Sequence, residues 1–383
     1  MNTLDRDRLA ELAADRDGLR VSLYMPTRRF GPGSQEADTT RLRNLLRDAE
    51  ARLNALEIKP SEVQAILAPV RALPDDRPFW LRSEEGLALL LAPGQMQVLR
   101  LPGAPDERVW VGDRYHLTPL LPFMDAGRRF WVLALSQKRV RLYEGGMAGL
   151  TETPAAGIPE SLSDALQWEE FEKTSLQFHT GTSGSGGRRP AVFHGTGEVD
   201  LKDEIVRFFR GIDRGLREYL EDGSAPLVIA AVDYLLPLYR EVNTYPRLTD
   251  GSVAGNPDSL GEAALHAQAW PIVKSVFDAE RAALAARAAE LWGSPRVTAE
   301  AERVLDAVRH GRVQDLLLAE GAHWWGTYDE DSGRVEVLAE PAADAGDLLD
   351  PAIADTLRHG GSVVALPRAE MPHGRDAVAM LRY

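Results

Sequence analysis

A chain of 383 residues, 44% hydrophobic and 27% charged, has the composition of a globular protein and is long enough for two or three cores rather than one. It contains no cysteine, which excludes disulfides, thiolate metal sites and a cysteine nucleophile and fits a reducing compartment. A formal net charge of −14 excludes bulk, non-specific attraction to nucleic acid, so any RNA contact has to be a local basic patch on an acidic body.

The charged stretch MNTLDRDRLAELAADRDG places Leu4, Leu9 and Leu12 near one side of a short helix and has no apolar signal region. No window approaches the roughly 18 uncharged apolar residues of a membrane span, so no membrane partner is expected and the location is expected to be cytoplasmic. LRVSLYM (19–25) alternates like a half-buried strand, and TRRFGPGS (27–34) is a polar loop punctuated by glycine and proline. Leu42, Leu45, Leu46, Ala49, Leu53 and Leu56 fall at helical spacing, predicting a helix over 36–57, and Val63, Ile66, Leu67 and Val70 predict a second. GLALLLA and MQVLRLP, separated by Pro93-Gly94, predict a strand pair.

A second region begins near residue 126, with FWVLALS and RVRLYEG flanking Gln137-Lys138 as a hairpin. A polar stretch then leads through SLQFHT into TGTSGSGGRRP and out by AVFHGTG. Leu201, Ile205, Phe208, Phe209, Ile212, Leu216 and Leu220 mark a five-turn amphipathic helix, whose basic residues are expected to form a solvated face. APLVIAAV (225–232) has the continuous apolar run of a strand buried on both faces. The short helix YLLPLYREV and the turn-rich YPRLTDGSVAGNPD follow. The third region predicts helices over 266–292 and 297–309, a buried strand at 313–320, and a hairpin turning at Asp331-Ser332-Gly333. A helix and strand in IADTLRHGG and SVVALP and a final strand in AVAMLRY complete it. The predicted fold class is thus mixed α+β with α/β elements, in three domains spanning 1–125, 126–262 and 263–383.

The glycine-rich loop is the most distinctive stretch. Gly181 and Gly186 have the spacing of a P-loop, but Gly187 and Arg188 stand where lysine and a hydroxyl residue are needed to reach phosphate and magnesium. Gly184 and Gly186 begin a dinucleotide fingerprint that ends on Arg189 and is not followed by a helix start. A nucleophile elbow fails because Ser185 occupies the position of its last glycine. No histidine pair has metal-ligand spacing, and His179 and His194 bracket the loop as strand-end residues. Asp329-Glu330-Asp331 lacks the closing glutamate of a calcium loop, and Trp324-Trp325 and Phe208-Phe209 are expected in cores. The residues therefore predict no cofactor, no metal and no catalytic side chain, and leave the loop's role open.

Taken in order, VSLYMPTRRF, RLRNLLRDAEARL, IKPSEV and GLALLLAPG resemble the opening strand, helical hairpin and following strand of the archaeo-eukaryotic peptide-chain release factor and Pelota superfamily, in its bacterial branch. FWVLALSQKRVRLYEG, the glycine loop, the long helix and PLVIAAV are similar to the central domain, and VRHGRVQDLLLAEGAHW is similar to the C-terminal α/β domain, which docks partner GTPases. The resemblance implies a three-domain release-factor-like architecture with a mixed-sheet central domain, and a ribosome-associated role with rRNA, tRNA and a translational GTPase as partners. At the helical-hairpin tip only Ile58-Lys59 of the family's stop-codon motif is kept, so codon-specific decoding is not carried over. Gly186-Gly187 match the family's two loop glycines, and Arg188 replaces its glutamine. The resemblance thus implies a functional loop of Gly184, Gly186, Gly187, Arg188 and Arg189, and RNA-binding positions at Arg28, Arg29 and Lys59. It favours occupancy of the A site of stalled or idle ribosomes, in rescue or hibernation, over its alternatives: a peptidyl-tRNA ester hydrolase and a non-catalytic interaction protein.

Overall fold

The computed structural model describes residues 4–383 apart from 16–17, 29–33, 137, 155, 163–197, 221–222, 330–331 and 341–344. The chain divides into two compact units, one of residues 1–127 with 279–383 and the other of residues 128–278.

In the first unit, helix α1 (Arg6–Ala14) starts where the Asp5 carboxylate accepts the Arg8 backbone N–H at 2.8 Å, satisfying a donor that the first helical turn leaves unpaired. Strand β1 (Arg20–Pro26) is followed by α2 (Ser34–Ala55), α3 (Pro60–Arg71) and the single-turn α4 (Arg77–Trp80). Strands β2 (Gly86–Ala92), β3 (Gln95–Leu101) and β4 (Arg108–Gly112) complete an antiparallel sheet of order β3-β2-β1-β4. Pro93-Gly94 forms the β2–β3 turn, where Gly94 takes a φ of +71° that a side chain would resist. The α2 and α3 stripes form as predicted: Leu42, Leu45, Ala49, Leu53, Val63, Ile66, Leu67 and Val70 pack on Val21, Leu23 and Met25 of one sheet face. Each such fully buried aliphatic contributes roughly 1.5–3 kcal/mol. The half-buried expectation for β1 is corrected. Its other face is covered too, with Tyr24, Ala88, Leu90, Leu99 and Leu101 sharing a core with residues of the C-terminal region. That shared core is the physical reason 279–383 belongs to the same unit as 1–127.

The second unit is built on β5 (Phe130–Leu135), β6 (Val140–Gly146), β7 (Gly149–Thr153), α5 (Glu198–Tyr219), β8 (Leu227–Ala231), α6 (Leu235–Val242), β9 (Leu248–Ala254) and the first part of α7 (Glu262–Glu290). The sheet runs β7-β6-β5-β8-β9, antiparallel on the β7 side and parallel from β5 to β9. Ile205, Phe208, Phe209, Ile212 and Leu216 of α5 cover one face, and Leu265, Ala269, Val273 and Phe277 of α7 the other. Every residue of β8 is buried, as the uninterrupted apolar run requires. The turn expected around TDGS is instead the edge strand β9. The register with β8 shifts between Leu227 and Ile229, and Thr249 Oγ1 donates to the Leu227 and Gly251 carbonyls at 3.1 and 2.8 Å. A Cβ on Gly251 would lie 2.7 Å from Ile272, so this glycine serves close packing and not a reversal of the chain.

The rest of the first unit holds β10 (Val297–Thr298), α8 (Ala301–Arg309), β11 (Val313–Ala319), β12 (Trp325–Tyr328), β13 (Val335–Leu338), β14 (Gly346–Asp347), α9 (Leu349–Arg358), β15 (Ser362–Leu366) and β16 (Ala377–Leu381). One sheet has the order β10-β16-β11-β15, with β11 and β15 parallel, and a small antiparallel sheet has the order β13-β12-β14. The helix expected over 297–309 is shorter, because Val297 and Thr298 pair with Met380 and Ala379. With several sheets of both kinds, the chain is mixed α+β.

Candidate nucleic-acid interface and a buried histidine cluster

Gly184, Gly186, Gly187, Arg188 and Arg189 lie outside the described residues, as do Arg29, His179 and His194. Arg28 follows β1, exposed, and its backbone N–H donates to Asp38 Oδ2 at 3.1 Å. Burial raises the Asp38 pKa, against the opposing pull of that N–H and of the Arg41 and Arg28 charges. Lys59 is exposed at the N-cap position of α3, with Pro60 supplying the fixed φ of the first helical position. Among the described residues no hydrogen bond or ion pair joins Arg28 to Lys59.

The described element nearest in sequence to the loop is α5, which begins at Glu198. Arg210, Arg214 and Arg217 follow one another at i, i+4 and i+7, a spacing that stacks them along a single helix face. They are exposed, form no ion pair among the described residues, and line a groove of about 630 Å³ with Asp213, Glu218, Val242 and Thr244. Asp213 is buried beneath them and is held in place by Thr244. Its carboxylate accepts the Thr244 backbone N–H at 2.8 Å and the Thr244 hydroxyl at 2.6 Å. Burial, and then the negative Asp213, pushes the Tyr239 phenol far above its usual range. The ridge thus presents three exposed guanidiniums without an ion pair among the described residues, the residue type suited to phosphate oxygens. Their exposure agrees with the solvated face expected of the basic residues of this helix.

The first unit carries a second cluster that the sequence does not announce, since its two histidines are more than two hundred positions apart. His116 follows β4, His323 precedes β12, and Arg108 opens β4 between them. The Arg108 guanidinium (Nη1) lies 2.6 Å from His323 Nε2 and 3.4 Å from His116 Nε2. Each ring is held from behind by a carboxylate: His116 Nδ1 lies 2.7 Å from Asp350 Oδ2, and His323 Nδ1 lies 2.6 Å from Asp347 Oδ2. The carboxylates are themselves fixed. Asp350 Oδ1 accepts Leu117 N–H at 2.9 Å and the Thr118 hydroxyl at 3.2 Å, while Asp347 Oδ1 accepts the N–H groups of Trp324 and Leu349, both at 3.1 Å. Trp110 stacks on His116 with centroids 4.7 Å apart, and Trp325 stacks on His323 at 5.1 Å. Trp324 and Trp325, expected in the core, are only partly buried, and Trp325 lines an open groove of about 610 Å³ with Arg108 and Trp110. Behind His116, Tyr24 donates its hydroxyl to the His116 carbonyl. Burial, followed by the negative Asp350, raises the Tyr24 pKa.

Residues 129–312, spanning the whole β5-to-β9 sheet and α5, match the family model of bacterial archaeo-eukaryotic release factor family 3. That segment is release-factor-like, of the bacterial archaeo-eukaryotic branch. Among solved structures, Pelota of Archaeoglobus fulgidus is 12% identical, with 100% of this chain and 94% of that one covered and a TM-score of 0.30. An archaeal Pelota in a ribosome-bound model with ABCE1 is 11% identical over 100% and 95%, with a TM-score of 0.40. The archaeal translation termination factor aRF1 is 14% identical over 100% and 99%, with a TM-score of 0.23. No curated protein matches the chain. No helix among the described residues is long and apolar enough to cross a membrane.

Proposed function

We propose that this release-factor-like protein occupies the A site of stalled or idle ribosomes as a translation factor without codon-specific termination. The observation that carries the reading is the Arg210, Arg214 and Arg217 ridge. It is a basic face, without an ion pair among the described residues, on the helix that follows the glycine loop, inside the segment that matches the family. On a chain of net charge −14, a local ridge of this kind is what a contact with rRNA or tRNA phosphates demands. Gly184, Gly186 and Gly187 give the loop close backbone approach, and Arg188 and Arg189 add phosphate contacts. Arg188 stands where the family's glutamine belongs, which favours binding over ester hydrolysis. Arg28 and Lys59 supply a second RNA contact, and the region 263–383 is the proposed dock for a translational GTPase. The setting is cytoplasmic, and rescue or hibernation is the physiological role.

Co-sedimentation of the full chain with vacant and stalled ribosomes at low salt tests the proposal. Binding to ribosomes that is lost on deleting residues 181–189 supports it. A protein that stays in the soluble fraction with both kinds of ribosome overturns it, and retained binding after the deletion shifts the role to a surface other than the loop.

A further inference from the structure

The cluster of His116, His323, Asp347, Asp350 and Arg108 has features that an inert ion pair does not require. Both imidazoles turn their Nε2 lone pairs toward one point, and both have Nδ1 hydrogen-bonded to a buried carboxylate. A carboxylate behind the ring fixes the tautomer and raises the basicity of the opposite nitrogen, an arrangement that recurs at metal-binding histidines. With neutral rings the five side chains carry two carboxylates against one guanidinium, and Asp347 and Asp350 are each almost wholly inaccessible. Buried charge is costly unless paired, so the point between the rings favours a cation of higher charge than arginine's.

We propose that His116 and His323 bind a divalent transition metal of the zinc class through their Nε2 atoms, with Asp350 and Asp347 orienting the rings from Nδ1 and Arg108 occupying the position until the metal displaces it. The two Nε2 atoms flank one guanidinium nitrogen, Arg108 Nη1, at 3.4 and 2.6 Å, so an ion in its place is within reach of both rings. Nitrogen donors stand about 2.0–2.1 Å from such an ion, so the two rings close in by about an ångström. His323 is partly accessible, and the groove lined by Arg108, Trp110 and Trp325 provides both the entry path and the space into which the guanidinium moves. Exchange of a monovalent for a divalent cation neutralises the cluster, and water completes the coordination.

The test is titration of the metal-stripped full chain with Co²⁺, read by the ligand-field absorption of a tetrahedral nitrogen/oxygen site, and competition with Zn²⁺. Wild type is expected to take up one ion. Arg108→Gln removes the competing cation. If the guanidinium holds the point about nine-tenths of the time, apparent affinity rises about tenfold. His323→Ala, at the more accessible ligand, abolishes the absorption. Absence of uptake by both wild type and Arg108→Gln overturns the proposal, as does an unchanged affinity in Arg108→Gln or an unchanged spectrum in His323→Ala. His116 is fully buried, so its replacement is not the deciding variant.

Discussion

Replacing Arg210, Arg214 and Arg217 together with alanine is the most direct perturbation of the proposed RNA face. No ion pair among the described residues is broken, and alanine exceeds arginine in helix propensity, so α5 is expected to keep its fold and the melting temperature to stay within about 2 °C. The expected loss is in the salt dependence of ribosome binding. Each neutralised phosphate contributes a slope of about −0.7 for single-stranded and −0.9 for duplex nucleic acid to the logarithmic dependence of affinity on salt. Between 50 and 200 mM salt, a fourfold range, one contact is worth about 2.6- to 3.5-fold and three contacts about 20- to 40-fold. The triple variant should therefore lose affinity by roughly that much less than wild type across the range, its slope shallower by about 2 to 3. Dissociation constants from co-sedimentation or fluorescence anisotropy with labelled protein, taken at four or more salt concentrations, measure both slopes. Equal slopes in wild type and variant, with both proteins folded, refute the assignment of the ridge to phosphate.

Arg188→Ala with Arg189→Ala should weaken ribosome association and flatten its salt dependence by up to about two contacts, measured in the same assay. Gly215→Ala pits helix propensity against sterics. Alanine gains about 1 kcal/mol in a helix interior, yet its Cβ would stand 2.4 Å from the Gly157 carbonyl oxygen, a backbone atom with little room to retreat. Overpacking at about 1–3 kcal/mol then outweighs that gain, and the urea midpoint should fall by the equivalent of about 1 kcal/mol; a rise would show that the 157 turn gives way freely. Alkaline titration followed at 295 nm should show Tyr24, Tyr115, Tyr143 and Tyr239 ionising late, because burial raises all four, Tyr115 to about 12. These tyrosines keep their protons in the folded chain after the unfolded chain has lost them near pH 10, so their contribution to stability is complete below that value and fades as pH rises toward 12. All tyrosines titrating together near pH 10 in the folded protein would contradict this.

Much of the fold was legible because the periodic apolar patterns coincide with burial. The stripe from Ile205 to Leu220 is the face of α5 that packs on the sheet, and Val63, Ile66, Leu67 and Val70 are the buried face of α3. What stayed hidden depends on contacts between distant parts of the chain. Strand β1 looked half-buried because Arg20 and Ser22 are polar, but both are buried. Ser22 receives the His116 N–H at 3.0 Å, and Arg20 reaches Asp15. Strand β9 carries Asp250-Gly251-Ser252, turn chemistry by local rule, and is held extended by pairing with β8 and by close packing of Ile272 on Gly251.

The histidine cluster illustrates the same limit at the level of function. Local spacing finds a metal site when the ligands share a helix or a hairpin, as a pair of histidines one turn apart does. Here the two rings come from beyond the end of β4 and from the approach to β12, and they meet only because Tyr24, Leu90 and Leu101 share a core with Leu316, Leu349 and Ile353. Sequence retains one faint trace: Trp110 and His116 in one segment and His323 and Trp325 in another, each histidine accompanied by the tryptophan that stacks on it. Such a pairing has meaning only once an acidic residue is known to stand behind each ring, and Asp347 and Asp350, three residues apart where β14 passes into α9, supply both from that one turn. If that turn is what positions the two rings, Asp347→Asn should perturb His323 and spare His116, and Asp350→Asn the reverse. Side-chain nitrogen chemical shifts of the two imidazoles distinguish that division from a general loosening of the unit, which would move both rings in both variants.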